Sequence, residues 1–130
     1  MVDALRRARE LLKPEGWIVD IHPTAAVARI ELGATVIGSI ESGDAPLRHQ
    51  AATDALESAI RQGWLRVDRS AFFDFYTYGD SVEELAEYIE ENWRNARVPP
   101  EIVARARETL LEAPGAKPRV LERVQLTVLR

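Results

Sequence analysis

The sequence predicts an α/β fold in which helices cover a mixed β-sheet. Apolar residues recur at helical spacing in several stretches, and runs rich in β-branched and aromatic residues separate these stretches. The chain has 130 residues, of which 46% are hydrophobic, which is enough to bury one core. We therefore expect a single domain over residues 1–130.

The first predicted elements are a helix and a strand. Residues 2–12 carry one apolar face, and Arg6, Arg7 and Arg9 fall between the apolar positions, where a solvated helix face is the commonest interpretation of such a cluster. Lys13-Pro14 ends this helix because the residue before proline disfavours helical backbone angles. Trp17–Ile21 is mostly apolar and predicts a strand covered on both faces.

A hairpin and a second helix follow. Ala26–Glu31 and Ala34–Ser39 are β-prone and flank Leu32-Gly33, which is typical of a hairpin turn. Asp44 and Pro46 suit the entrance of a helix that we expect to run to about Gln62.

Strands and helices also alternate in the second half of the sequence. Trp64–Asp68 and Ala71–Tyr78 predict strand, and Ser81 with Glu84 forms a capping box for the next helix. Pro99-Pro100 opens a helix to about Glu112. Arg119–Leu129 predicts a final strand, long enough to lie antiparallel beside Phe72–Tyr78.

Composition excludes several function classes. The formal net charge is −4 and the basic residues are dispersed, which argues against nucleic acid as a partner. Cysteine is missing, so disulfides, thiolate metal sites and cysteine nucleophiles are excluded. The seven glycines form no G-x-G pair or Walker loop, and the two histidines stand 27 residues apart without a metal-binding motif. We expect a cytoplasmic protein with no membrane span and no metal.

Two groups of residues remain as candidates for a site. Asp20 and His22 stand at the carboxyl end of the Trp17–Ile21 strand, where ligands gather in open α/β sheets, and a histidine can act as a general base near neutral pH. The alternative is that they only hydrogen-bond the following loop. Tyr76, Tyr78 and Trp93 could line a substrate cleft with their polar tips, although core or interface packing is the more common use of such residues.

The segment from Ala4 to Ile21, ALRRARELLKPEGWIVDI, resembles a segment of class I S-adenosylmethionine-dependent methyltransferases. In that family a helix ending in L-K-P-G-G precedes the fifth strand, and here Glu15 stands at the first of the two glycines. The later order also resembles the C-terminal half of the family, including a reversed final strand at Arg119–Leu129. The resemblance covers most of this chain and about half of the family's domain.

This resemblance implies a Rossmann-like sheet that lacks its glycine-rich, cofactor-binding half. We expect no cofactor on the isolated chain, and S-adenosylmethionine if a separate polypeptide completes the fold. The Trp17–Ile21 strand would then lose a neighbour, so a homodimer or a separate cofactor-binding polypeptide should cover it. The implied function is a methyltransferase-like C-terminal domain that is not catalytic alone and contributes substrate contacts or assembly. The alternative is a non-catalytic module for homodimerisation or for binding a small molecule.

Overall fold

The computed structural model describes residues 2–130, which form four α-helices and five β-strands. In chain order they are α1 (Val2–Leu11), β1 (Ile18–Pro23), β2 (Arg29–Leu32), β3 (Thr35–Ser39), α2 (Ala45–Arg61), β4 (Val67–Tyr78), α3 (Val82–Asn92), α4 (Pro100–Glu112) and β5 (Pro118–Leu129). The two runs predicted around residues 64–78 form one strand, β4. No helix within residues 2–130 is long and apolar enough to cross a membrane.

The helix boundaries follow the local signals in the sequence. The hydroxyl oxygen of Ser81 accepts a hydrogen bond of 3.1 Å from the backbone N–H of Glu84, which confirms the predicted cap of α3. Pro100 occupies the first turn of α4, where its missing N–H has no partner to lose. After α2, Gly63 adopts a φ of 74°, a left-handed conformation that glycine reaches without strain.

The sheet is antiparallel, which corrects the predicted mixed sheet. β5 lies antiparallel to β1 and to β2, and β2 forms the predicted hairpin with β3. Arg66 and Arg130 exchange both backbone hydrogen bonds, which is the narrow pair of an antiparallel ladder and joins β4 to β5. β1 and β4 point in the same direction, but β5 separates them, so no two parallel strands become neighbours.

The chain divides into two compact units. Among the described residues, the first comprises residues 2–25, 47–73 and 123–130, and the second comprises residues 26–46 and 74–122. β4 and β5 each contribute to both units.

In the first unit, β5 is the central strand. The carbonyl of Arg123 in β5 accepts a hydrogen bond from the N–H of Thr24, which follows β1. Arg130, directly after β5, pairs with Arg66, directly before β4. Odd- and even-numbered residues of the strand direct their backbone groups to opposite edges, so β1 and β4 lie on opposite edges of β5. One face of this sheet packs under α1 and α2. The core of this unit consists of Leu5, Leu56, Ala59, Leu65 and Leu129, with Ile18, Ile60 and Trp64 packed against it.

In the second unit, the β2–β3 hairpin and α3 and α4 enclose a larger core. Thirteen buried residues form it, among them Ile30, Leu85 and Ile89. Gly38 in β3 permits the close approach of α4, because a Cβ at this position would lie 2.2 Å from Cδ1 of Ile102.

β1 is covered on one face only, which corrects the prediction of a strand covered on both. Ile18, Asp20 and His22 are half-buried or buried. Val19 and Ile21 are 55% and 58% exposed, and Trp17 just before the strand is 60% exposed. The prediction of a doubly covered strand was wrong because an apolar run is typical of such a strand. In the structure, α1 and α2 both pack on the face that carries Ile18, and the other face remains exposed.

Candidate functional site

Asp20 and His22 form a hydrogen-bonded chain with a residue of α2 in the first unit. The His22 Nδ1 atom lies 2.6 Å from Oδ2 of Asp20, and Nε2 lies 3.1 Å from the Thr53 hydroxyl oxygen. The alternation of β1 places residues 20 and 22 on the same face, which is the face toward α2. His22 is 8% exposed, so α2 shields the ring from solvent.

The Thr53 hydroxyl allows the hydrogen-bonded series Asp20, His22 and Thr53 to carry its protons in two arrangements. Its oxygen also lies 3.3 Å from the backbone carbonyl of His49, to which it can donate. With neutral His22, Nδ1–H donates to Asp20 and Thr53 donates to Nε2. With protonated His22, both ring N–H groups donate and the Thr53 proton moves to the His49 carbonyl. In both arrangements each ring nitrogen has a protein partner.

His49 provides a second titratable group next to this chain. Its Nδ1–H donates to the backbone carbonyl of Thr24 over 3.1 Å, which joins α2 to the loop after β1. Partial burial lowers the pKa of His49, the Thr24 hydrogen bond opposes this effect, and the positive charges of Arg48 and His22 lower the pKa further. The neutral imidazole is therefore favoured in the folded state.

The order carboxylate, imidazole, hydroxyl is the order in which a histidine activates a hydroxyl for nucleophilic attack. Here the three groups join β1 to α2, and the imidazole has no nitrogen directed to solvent. Proton transfer to or from a ligand would require Thr53 to leave Nε2. The sequence points to Asp20 and His22 but not to Thr53 and His49. The contacts of these two α2 residues with β1 and the loop after it depend on how α2 packs against β1.

In the second unit, Tyr76 and Tyr78 lie together, with their ring centroids 6.2 Å apart. The Arg119 guanidinium lies 4.1 Å from the centre of the Tyr76 ring and donates to the Tyr78 hydroxyl over 3.3 Å. Trp93 ends α3 and packs against the core of this unit, and no ring contact within residues 2–130 joins it to the tyrosines.

Arg119 is held in place by a buried carboxylate. Glu31 is 3% exposed and accepts hydrogen bonds from both Arg29 and Arg119, at 3.0 Å from each Nε atom. Two guanidinium groups compensate the cost of burying this charge. Arg119 therefore orients the tyrosine pair, a role that the sequence alone did not reveal.

The described residues do not provide a nucleotide or metal site of a known kind. Within residues 2–130 no group of three or more histidine, aspartate or glutamate side chains is placed to hold a metal ion. The turn glycines Gly33 and Gly63 do not form a phosphate cradle, because a Cβ on either would meet nothing within 4 Å.

Comparison with known proteins leaves the family open. No family model matches the chain, and neither the curated proteins nor the solved structures include a match.

Proposed function

We propose that the chain is the C-terminal half of a methyltransferase-like domain, inactive alone, which contributes substrate contacts to a site completed by a second polypeptide. The observation that carries this proposal is the position of β5 in the first unit, antiparallel between β1 and β4, which run in the same direction. The resemblance of residues 4–21 to the methyltransferase helix and strand implies the same arrangement, with a reversed strand next to the fifth strand.

The open edge of β1 supports the need for a second polypeptide. Within residues 2–130, β1 pairs only with β5, so its other edge has no strand neighbour. The exposed side chains of Trp17, Val19 and Ile21 follow one face of the segment. An unpaired edge next to an apolar face favours association with another chain, because both the backbone groups and the apolar surface gain from being covered.

Asp20 and His22 lie at the carboxyl end of β1, the end at which ligands would bind in the largely parallel sheet that this proposal implies. In this proposal His22 holds Asp20 and the middle of α2, at Thr53, in position beside the completed site. S-adenosylmethionine would supply the methyl group, and the other polypeptide would bind it.

Calorimetric titration with S-adenosylmethionine tests the proposal. The purified chain should give no heat of binding, and binding should appear when the polypeptide encoded next to it is added. Binding by the chain alone would contradict the inference that these residues lack a cofactor site. The lack of binding in both samples would favour a non-catalytic module.

A second candidate function is homodimerisation, which β4 favours. This strand has twelve residues, and most are exposed, including Phe72, Phe73, Phe75 and Tyr78. Within the described residues β4 pairs with β5 alone, which leaves a long aromatic edge strand. Antiparallel pairing with a second copy would cover it, as edge strands otherwise promote association with any available strand.

A further inference from the structure

A basic cleft lies in the first unit, at the end of β1 opposite to His22. It has a volume of about 570 Å³ and is lined by α1, the turn after it, and the residues at the start of β4 and the end of β5. Its polar lining consists of four cations and one carboxylate: Arg9, Lys13, Arg66, Arg130 and Glu15. A smaller cavity of about 450 Å³ shares Arg9 and Trp64 with it and adds Arg6 and Glu10.

Three of these cations have no acidic partner. None of the ion pairs within residues 2–130 includes Arg9, Lys13 or Arg66, and the carboxylate of Asp68 lies 3.5 Å from Arg130. Like charges that converge on one cleft repel each other. In a chain with a formal charge of −4, this local excess of positive charge is a feature that an anion would stabilise.

The wall of the cleft combines these charges with aromatic and apolar surface. Trp64 and Leu65 line it, and the Arg6 guanidinium lies 4.6 Å from the centre of the Trp64 ring. The volume is within the usual range of roughly 300–1,000 Å³ for small-molecule sites. Guanidinium groups bind phosphate oxygens in a bidentate manner, and several cations match an anion with more than one negative charge.

We propose that this cleft binds a small phosphorylated molecule through Arg9, Lys13 and Arg66. The proposal is independent of the methyltransferase-like function, since the cleft lies at the opposite end of β1 from Asp20 and His22. The arrangement was not visible in the sequence, where Arg6, Arg7 and Arg9 have the pattern of a solvated helix face. The fold directs Arg9 into the cleft, whereas Arg7 does not line it.

Calorimetric titration with inorganic pyrophosphate at low ionic strength tests the proposal, with ADP as a probe for an attached aromatic ring. Arg9→Gln and Arg66→Gln should each weaken pyrophosphate binding about ten- to a hundredfold, the effect of losing one hydrogen bond to a charged group. Arg7→Gln is the matched control on the same helix and should change binding less than twofold. Glu15→Gly removes an acidic side chain from the lining of the cleft and should tighten binding.

The measured affinities distinguish specific binding in the cleft from a general attraction of anions to positive charge on the surface. Tighter binding of ADP than of pyrophosphate would support a phosphorylated molecule with a ring beside Trp64, and equal binding would support recognition of the phosphates alone. Equal losses in Arg7→Gln and Arg9→Gln would contradict the proposal, because they would show a response to net charge only. No binding of either probe at millimolar concentration would also overturn it. Circular dichroism of each variant verifies that it is folded.

Discussion

At the scale of the residue, Glu15 is the position at which residues 4–21 differ from the motif that they resemble. The motif has glycine at this position, and Glu15 adopts a φ of 69° in the turn between α1 and β1. A side chain in this left-handed region costs roughly 1 kcal/mol, and glycine avoids the cost. The next residue, Gly16, has no room for a side chain, since a Cβ would lie 2.9 Å from the Lys13 carbonyl oxygen.

Replacing Glu15 with glycine should therefore stabilise the chain. We expect Glu15→Gly to raise the free energy of unfolding by about 0.5–1 kcal/mol, as measured by urea denaturation. Glu10→Gly removes the same charge from the last turn of α1, where glycine is a poorer helix former than glutamate, and should lower it by up to about 0.5 kcal/mol. A loss of stability in Glu15→Gly would contradict the account of the turn.

His49 should make stability depend on pH. Because its pKa is lowered in the folded state, the unfolded chain binds the proton more readily. The contribution of neutral His49 to the free energy of unfolding is complete above its ordinary pKa of 6.5. It is lost as the pH falls from there through the lowered pKa of the folded state.

Urea denaturation at several pH values between 7.5 and about 5 measures this effect. The wild-type chain should lose stability toward the acidic end, and His49→Asn, which keeps a donor for the Thr24 carbonyl, should show a flatter dependence. Identical slopes for the two proteins would show that His49 does not titrate differently on folding.

The tyrosines and histidines show what the sequence can predict about a site. The sequence placed Asp20 and His22 together at the carboxyl end of one strand, and the structure brings their side chains into contact. The sequence did not reveal their partner Thr53, because it is 31 residues from His22 and reaches it only through the packing of α2. Likewise, the control of Tyr76 and Tyr78 by Arg119 depends on pairing between distant strands.

At the scale of the element, local signals predicted the helices well. The cap at Ser81, the proline that opens α4 and the glycine after α2 each act within a few residues, so the sequence shows them directly. Ser81→Ala should lower the free energy of unfolding by about 1 kcal/mol, since the N–H of Glu84 loses its partner. An unchanged urea midpoint would contradict the cap's contribution.

Strand environment was harder to predict than strand position. β1 and β4 lie close to where the sequence placed them, yet an apolar or aromatic run does not reveal whether a second layer covers it. The exposed faces of both strands depend on which side the helices occupy, a property of the whole chain. The antiparallel order of the sheet was missed for the same reason, as it depends on β5 lying between β1 and β4.

The two open edges make different predictions for association. If a second chain covers β1, Val19→Lys should prevent self-association, because the charge lies on the exposed apolar face. If β4 is the interface, Phe75→Lys should have that effect instead. Val36→Lys on β3 is the matched control, since Val36 is also exposed, at 52%. Each variant should change the free energy of unfolding by no more than about 0.5 kcal/mol, because the positions are exposed.

At the scale of the whole molecule, the described residues enclose two cores, but the outer edges of β1 and β4 and the apolar side chains beside them remain uncovered. The methyltransferase resemblance implies cofactor-binding elements that, in our proposal, a second polypeptide supplies. In a solution of the purified chain, the open edge of β1 can be covered only by another copy. Self-association is therefore the behaviour that the open edge predicts when no other polypeptide is present.

Light scattering coupled to size-exclusion chromatography tests this claim most directly. The chain has a mass of 14.6 kDa. We expect the wild-type chain to elute with twice this mass and Val19→Lys to elute with the mass of one chain, while Val36→Lys behaves as the wild type. A wild-type chain that stays at 14.6 kDa up to the highest soluble concentration would contradict the claim that β1 requires a second polypeptide.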